Sequence, residues 1–201
     1  TAQGQSITTI NANLGEVGSQ NLLYNPSFDA PVTDFRAAGW YVGGSAGAVA
    51  MSLVNSTLDP AGKAQRLDVA GLSSTVYSEV STELARRPAA SEGQVFTSSV
   101  YVRGTVGLNA QLYIQALNAS NTPIATTTGA FFALTGDWQR VALTSQAFPA
   151  GTVKAHIIYR ARNGSSVTAG FLEFDRAQAQ VGSTMSGWQD SNGTLATDVA
   201  A

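Results

Sequence analysis

The sequence predicts an all-β protein: a jelly-roll β-sandwich of two antiparallel sheets, with a short N-terminal helical stem. Three observations lead there. Eight or nine short runs alternate apolar and polar residues with period two. Glycine, asparagine and proline bound those runs. Beyond the first twenty residues, no apolar spacing of helical period is sustained. Short alternating runs separated by turn residues mark half-buried antiparallel strands, and this many of them pack as a sandwich or jelly roll.

The stem is read from Ile7, Ile10, Leu14 and Val17, spaced three, four and three apart. That is the a/d spacing of a coiled coil. Ser6 supplies an N-cap. Gly15 and Gly18 weaken the helix, and two heptads do not stand alone in water. Residues 1–20 are therefore either the end of an oligomeric stalk, trimeric in the fuller reading, or a linker.

From Asn21 the pattern turns to strands. Leu22, Leu23 and Tyr24 are expected to be extended, with a turn at Asn25-Pro26-Ser27, an apolar anchor at Phe28 and a carboxylate at Asp29. Proline fixes φ there, while Asn and Ser bond locally to backbone. Residues 48–54, 65–69 and 75–84 are the next strand candidates. In residues 94–103, Phe96, Ser98, Val100 and Val102 share one face; Thr97, Ser99, Tyr101 and Arg103 share the other. In residues 108–117, Leu112 and Ile114 oppose Gln111, Tyr113 and Gln115. Residues 138–144 follow a Gly-Asp turn. In residues 153–162, Val153, Ala155, Ile157 and Tyr159 oppose Lys154, His156, Ile158, Arg160 and Arg162. Residues 170–181 close the domain. The expected organisation is a stem over 1–20, a sandwich over 21–182 and a C-terminal extension over 183–201.

At 201 residues, the chain can bury a sizeable core without staples. It has no cysteine, so no disulfide framework exists. Charged residues make up 12% and the net charge is −2, which argues against a nucleic-acid partner and its basic patch. No apolar run approaches the roughly 18 residues of a membrane span, so no membrane insertion is expected. The N-terminal Thr-Ala-Gln-Gly carries no signal-like basic region and apolar core.

Catalysis finds little support. One histidine and no cysteine exclude the usual zinc sites and a Cys-His pair. No Gly-x-Ser-x-Gly elbow is present. No spacing among the carboxylates picks out a glycosidase acid pair. The expectation is a protein that is not an enzyme.

Five segments, taken in order, resemble one family. They are Asn21-Leu22-Leu23-Tyr24-Asn25-Pro26-Ser27-Phe28-Asp29 with Gly39-Trp40, then Gly62-Lys63-Ala64-Gln65-Arg66-Leu67, the strand from Gly93 to Arg103, Gly136-Asp137-Trp138-Gln139-Arg140-Val141, and the run from Phe171 to Val181. Together they resemble jelly-roll carbohydrate-binding modules of the families numbered four, nine and twenty-two. The exit Ala179-Gln180-Val181-Gly182-Ser183-Thr184-Met185-Ser186-Gly187-Trp188-Gln189 is similar to the end of such modules in bacteriophage tail tip and fibre proteins, except that Gly182 follows Val181 where an acid is usual.

The resemblance implies a non-catalytic module on an oligomeric, homotrimeric phage tail protein that attaches to bacterial surface glycan. Its partners would be that glycan and other tail chains, its location the virion or otherwise the extracellular space. The alternatives are a bracing domain that binds no sugar and the accessory module of a secreted polysaccharide hydrolase. The implied ligand face carries Tyr101, Arg103, Gln111, Tyr113, Gln115, His156, Arg160 and Arg162. Apolar sugar faces stack on aromatic rings, while hydroxyls pair with amides and guanidinium groups. Tyr101 and Tyr113 would stack. The plainer reading is an ordinary solvated β-face. The resemblance also implies a structural calcium ion on Asp29 and Asp175, whose hard carboxylate oxygens suit it; otherwise backbone amides satisfy both acids. Trp40, Trp138 and Tyr159 read as core, and Trp188 as packing on the stem or a neighbouring chain.

Overall fold

A computed structural model describes residues 20–33, 35–45, 50–162 and 166–188. The stem predicted through Ile7, Ile10, Leu14 and Val17 lies outside these residues. The strands in chain order are β1 (Pro31–Thr33), β2 (Arg36–Ala37), β3 (Trp40–Gly44), β4 (Ala50–Asn55), β5 (Lys63–Val69), β6 (Tyr77–Thr82), β7 (Phe96–Gly104), β8 (Asn109–Leu117), β9 (Pro123–Thr128), β10 (Phe132–Ala133), β11 (Gln139–Thr144), β12 (Lys154–Arg162) and β13 (Gly170–Val181). A 3₁₀ turn at Leu84–Arg86 follows β6. The small hairpin β1–β2 stands apart from two antiparallel sheets. The front sheet runs β10-β8-β12-β6-β3, with β9 also on β8; the back sheet runs β11-β7-β13-β5-β4. From β5 to β8 the chain changes sheet at every step, and it does so again from β10 to β13. Such repeated crossing is what buries one face of each short strand.

The predicted alternation holds in the long strands. Phe96, Val100 and Val102 of β7, Leu112 and Ile114 of β8, and Ala155, Ile157 and Tyr159 of β12 all lie in the core. An aromatic row crosses the layers. Phe28 packs on Trp40 with ring centroids 4.7 Å apart, Trp40 on Tyr159 at 5.9 Å and Tyr159 on Phe174 at 6.1 Å. The Tyr159 hydroxyl donates to the Ser99 carbonyl at 3.1 Å and lies 3.0 Å from the Ser98 hydroxyl, so one side chain ties the front sheet to the back.

Residues 22–24 are not a strand, contrary to expectation. Leu22 N–H donates to the Ala179 carbonyl, and the Asn21 side chain accepts from Ala179 N–H and donates to the Ala177 carbonyl. Asn21 therefore clasps the end of β13 with its amide rather than through a ladder. The turn predicted at Asn25-Pro26-Ser27 is present. Asn25 (φ 47°) and Phe28 (φ 60°) take left-handed backbone, which a bulky side chain adopts only when its surroundings fix it. Here the fully buried Phe28 ring against Trp40 does so.

β13 carries a bulge. Asp175 faces Tyr101 and Gln178 faces Ser99, so β13 advances three residues while β7 advances two. Arg176 absorbs the extra residue at φ 49°. One inserted residue moves every following side chain to the other face. Leu172 and Phe174 point inward before the bulge, Ala177 and Ala179 after it.

Candidate functional site

The outer face of the front sheet collects most of the predicted ligand residues. Register places His156 beside Gln115, Ile158 beside Tyr113, and Arg160 beside Gln111. On the other flank of β12, Arg160 faces Glu79 and Arg162 faces Tyr77. Arg160 is the hub. Its Nε donates to Glu79 Oε2 at 2.7 Å. Its guanidinium lies 3.9 Å from the Tyr77 ring centroid and 4.4 Å from that of Tyr113. Tyr113 donates its hydroxyl proton to Gln111 Oε1 at 2.5 Å and accepts from Arg162 Nη1 at 2.9 Å. Gln111 Nε2 donates to the Gly129 carbonyl at 2.9 Å.

This wiring changes the role expected for Tyr113. Only 6% of the residue is exposed, and Arg160 lies over its ring. Tyr113 is part of a pre-ordered floor, not an open stacking platform. The accessible ring on this face is Tyr41 of β3, half exposed and in register with Ser81. Gly43, the next outward position on β3, leaves room for it. A Cβ there would come within 2.5 Å of the Tyr41 ring.

Beside Tyr41 opens a cleft of about 300 Å³ lined by Tyr41, Glu79, Ser81, Thr82, Glu83, Leu84, Arg87 and His156. It combines an aromatic wall with hydroxyls, an imidazole and a guanidinium. His156 Nδ1 pairs with Gln115 Oε1 at 3.1 Å. The amide oxygen accepts, so Nδ1 carries the proton and Nε2 accepts from Arg87 Nη2 at 3.4 Å. Burial, with the charges of Arg87 and Arg160, lowers the imidazole pKa from 6.5 to about 3.

The unfolded chain therefore takes up this proton first as pH falls. The stability from a neutral His156 is complete above pH 6.5 and is lost on going down towards about pH 3. His156→Gln keeps a polar group there without the titration. The stability advantage of the wild type over this variant is expected to shrink by a few kcal/mol between about pH 7 and about pH 4, read from urea midpoints. An advantage that stays constant would contradict it. The difference is the readout because Asp175 acts in the opposite sense over part of the same range.

Tyr101 and Arg103 do not join this face. They lie on β7, in the back sheet, and point outward on the far side of the sandwich. Alternation fixes whether a side chain points in or out, but not which sheet its strand enters, and the chain crosses between sheets from β7 to β8. On the back face, Arg103 Nε donates to Glu173 Oε2 at 2.6 Å, and Arg66 reaches Glu173 Oε1 at 3.3 Å. Trp138 is not core as expected. It is partly exposed on this face, donates to the Thr57 hydroxyl at 2.9 Å, and has Arg103 5.1 Å from its ring.

Residues 183–188 fold back over the same surface. Arg140 donates to Gln178 Oε1 and the Ser186 carbonyl, and Gln178 Nε2 to the Ser186 hydroxyl. Trp188 sits against Arg176 of its own domain, with the guanidinium 5.0 Å from the ring. The fold thus extends past the boundary expected at residue 182.

Asp29 and Asp175 do come together. Burial pushes the Asp175 carboxyl up to about 6, and the charge of Asp29 adds to that push; the Ser56 hydroxyl, the Arg176 N–H and the Arg176 charge oppose it. Asp175 Oδ2 accepts from Ser56 Oγ at 2.5 Å and Oδ1 from Arg176 N–H at 2.6 Å. Asp29 Oδ1 accepts from Lys63 N–H at 2.6 Å. The donor set is two carboxylates and a hydroxyl, all hard oxygens of the kind calcium takes. Among the described residues no third acid or histidine joins them.

Tyr41, Glu79, Arg87 and the hydroxyls of Ser81 and Thr82 were not singled out from sequence. Val80 is fully buried, so alternation along β6 turns Tyr77, Glu79 and Ser81 towards the outer face. Arg87 follows the strand in a loop and offered no periodic signal.

No protein-family model and no curated protein matches the chain. Solved structures do. The enzymatically active domain of bacteriophage CBA120 tailspike protein 4 matches with a TM-score of 0.59 at 15% identity, over 80% of this chain and 21% of that one. A cyclase from Fischerella sp. TAU matches at 0.57 and 11% identity, over 82% of this chain and 97% of that one. The CBM22-1 xylan-binding domain of Paenibacillus barcinonensis Xyn10C matches at 0.50 and 15% identity, over 80% of this chain and 93% of that one. Identities this low establish a shared fold alone. The chain has the jelly-roll-like β-sandwich fold of carbohydrate-binding modules. That fold also serves the cyclase, so chemistry has to be argued from the site.

Proposed function

We propose that this chain is a non-catalytic glycan-binding module of an oligomeric phage tail protein, attaching to bacterial surface polysaccharide. The observation that carries the reading is the Tyr41 cleft. A half-exposed ring stands over polar groups whose floor is already locked by Arg160, so little side-chain freedom is lost on binding. Both carboxylates that line the cleft are held by arginines, Glu79 by Arg160 and Glu83 by Arg36, as suits recognition rather than proton transfer. The fold shared with a xylan-binding domain and a phage tailspike supports the class and the setting. A trimer would multiply weak single-site affinity by avidity. The virion, or otherwise the extracellular space, is the location this implies.

The test is binding of the 201-residue chain to host cell-wall polysaccharide by calorimetry. Tyr41→Ala is expected to weaken binding about tenfold, the worth of one aromatic platform. Gly43→Val, which pushes the ring aside without removing it, is expected to do the same. Unchanged affinity in both variants would sink the cleft as the site. No glycan binding at all would leave the bracing role.

The same proposal extends to a calcium ion on Asp29 and Asp175. Calcium at about a hundred times its dissociation constant is expected to stabilise the fold by roughly 2.7 kcal/mol. The melting temperature should rise accordingly, and Asp29→Asn should abolish the rise. A melting temperature indifferent to calcium and to chelator would mean that Ser56, Arg176 and the backbone amides alone balance the two acids.

A further inference from the structure

The charged groups lining the cleft are unevenly matched. Glu79 has Arg160 at 2.7 Å and Glu83 has Arg36 at 3.0 Å. Among the described residues Arg87 forms no ion pair, unlike the arginines that hold Glu79 and Glu83. Arg86, Arg140 and Arg162 form none either, but Arg86 is exposed, and Arg140 and Arg162 spend their donors on several neutral oxygens. The bonds of Arg87 are two long ones, Nε to the Thr82 carbonyl at 3.4 Å and Nη2 to His156 Nε2 at 3.4 Å. A guanidinium carries five N–H donors, so most of them are uncommitted. Its polar neighbour, the His156 imidazole, is neutral and brings no negative charge.

Arg87 is also half-buried, and burial lowers its pKa with no carboxylate to offset the cost. A partly desolvated cation without a counter-charge is expensive to hold. Its planar fork matches a carboxylate or a phosphate through paired hydrogen bonds. Tyr41 and Leu84, both about half exposed, stand on the same cleft and offer apolar surface for a sugar ring.

Resting on the reading of this cleft as the glycan site, we infer that its ligand is an acidic polysaccharide, with an anionic group docked on Arg87 and the adjoining sugar ring against Tyr41. The anion is either a uronate carboxylate or a backbone phosphodiester. Both present the two oxygens that the guanidinium takes. The ligand's charge makes binding sensitive to salt, which screens the attraction between a polyanion and the part-exposed Arg87, whereas binding of a neutral sugar held by hydroxyl contacts is not.

The test titrates the 201-residue chain with three probes: a hyaluronan oligosaccharide, an oligosaccharide of hexoses joined by phosphodiesters, and xylohexaose. One charged probe is expected to bind at least about tenfold more tightly than xylohexaose. Its affinity should fall severalfold as salt rises from about 20 mM to about 300 mM. Preference for hyaluronan assigns the uronate; preference for the phosphodiester-linked oligosaccharide assigns the phosphodiester. Arg87→Gln should bring the charged probe down to the level of xylohexaose, and Arg87→Lys should recover part of the loss. The melting temperature of each variant reports folding, and the salt dependence of the unaltered chain does not rely on any variant. If xylohexaose binds as well as the charged probes and Arg87→Gln changes nothing, the acidic-ligand inference falls while glycan binding stands. If none of the three binds but a neutral host polysaccharide does, the inference falls in the same way. If no glycan binds, both fall together.

Discussion

Trp40→Ala is expected to destabilise the domain by about 4–5 kcal/mol, the upper part of the range for deleting a buried aromatic side chain. Trp40 is fully buried and stands between Phe28 and Tyr159 in the aromatic row. Its Nε1 also donates to the Asn25 carbonyl at 2.8 Å, so truncation removes a bond from the turn that holds Phe28 in left-handed backbone. The cavity would open at the centre of the row, where neither sheet can close over it without breaking the Tyr159 link to Ser98 and Ser99. Typical domain stabilities are about 5–15 kcal/mol, so the variant should lose about a third or more of its stability. Trp138→Ala is the control. Its ring is partly exposed on the back face, and the loss should stay near 1 kcal/mol. Equal losses for the two tryptophans, measured by urea denaturation, would contradict the placement of either.

Arg160→Ala is expected to cost about 2–3 kcal/mol. The side chains of Arg160 and Glu79 are only 17% and 13% exposed, so removing the cation leaves Glu79 largely desolvated and unpaired. Breaking a fully buried pair costs about 3–5 kcal/mol, and residual solvent access lowers that here. The stacking on Tyr77 and Tyr113 adds roughly 0.5–1 kcal/mol per ring. Arg160→Lys should recover the charge but not the planar stacking. A double-mutant cycle with Glu79→Gln separates the ion pair from the stacking. Coupling below about 0.5 kcal/mol would mean that the floor is not locked by this pair. Loss of the floor should also weaken glycan binding without any ligand contact being removed, because Glu79 lines the cleft and would be free to turn into it.

The core was largely legible in the sequence because period two is a local property. Phe96, Leu112, Ile157 and Tyr159 could each be assigned an inward direction from their own strand. The pairing of strands into sheets is not local. β7 and β8 are consecutive and carry the same polar alternation, yet they face opposite ways across the sandwich, which separated Tyr101 and Arg103 from Tyr113 and Arg160. The bulge at Arg176 was hidden for a related reason. Nothing in residues 170–181 announces where one residue is inserted, and the inward positions change from Phe174 to Ala177 across it. The short strands β1, β2, β9 and β10 lie at or near exposed edges, where few buried side chains impose a pattern.

Of the residues expected to take the ligand, only His156 lines the cleft. Gln111, Gln115, His156, Arg160 and Arg162 were placed together correctly because β8 and β12 are neighbours in one sheet. Their function as a floor was not visible, since a ring covered by a guanidinium reads in sequence like a ring open to solvent. Tyr41 and Arg87 come from the first strand of the front sheet and from the loop after β6. Only the fold brings those segments to one cleft.

The most direct measurement is amide chemical-shift mapping of the chain titrated with host polysaccharide fragments. The shifts are expected to concentrate on Tyr41, Ser81, Thr82, Arg87 and His156, with the back face around Tyr101, Arg140 and Gln178 unmoved. Shifts concentrated on the back face, or spread over neither, would contradict a glycan site on the outer surface of the front sheet.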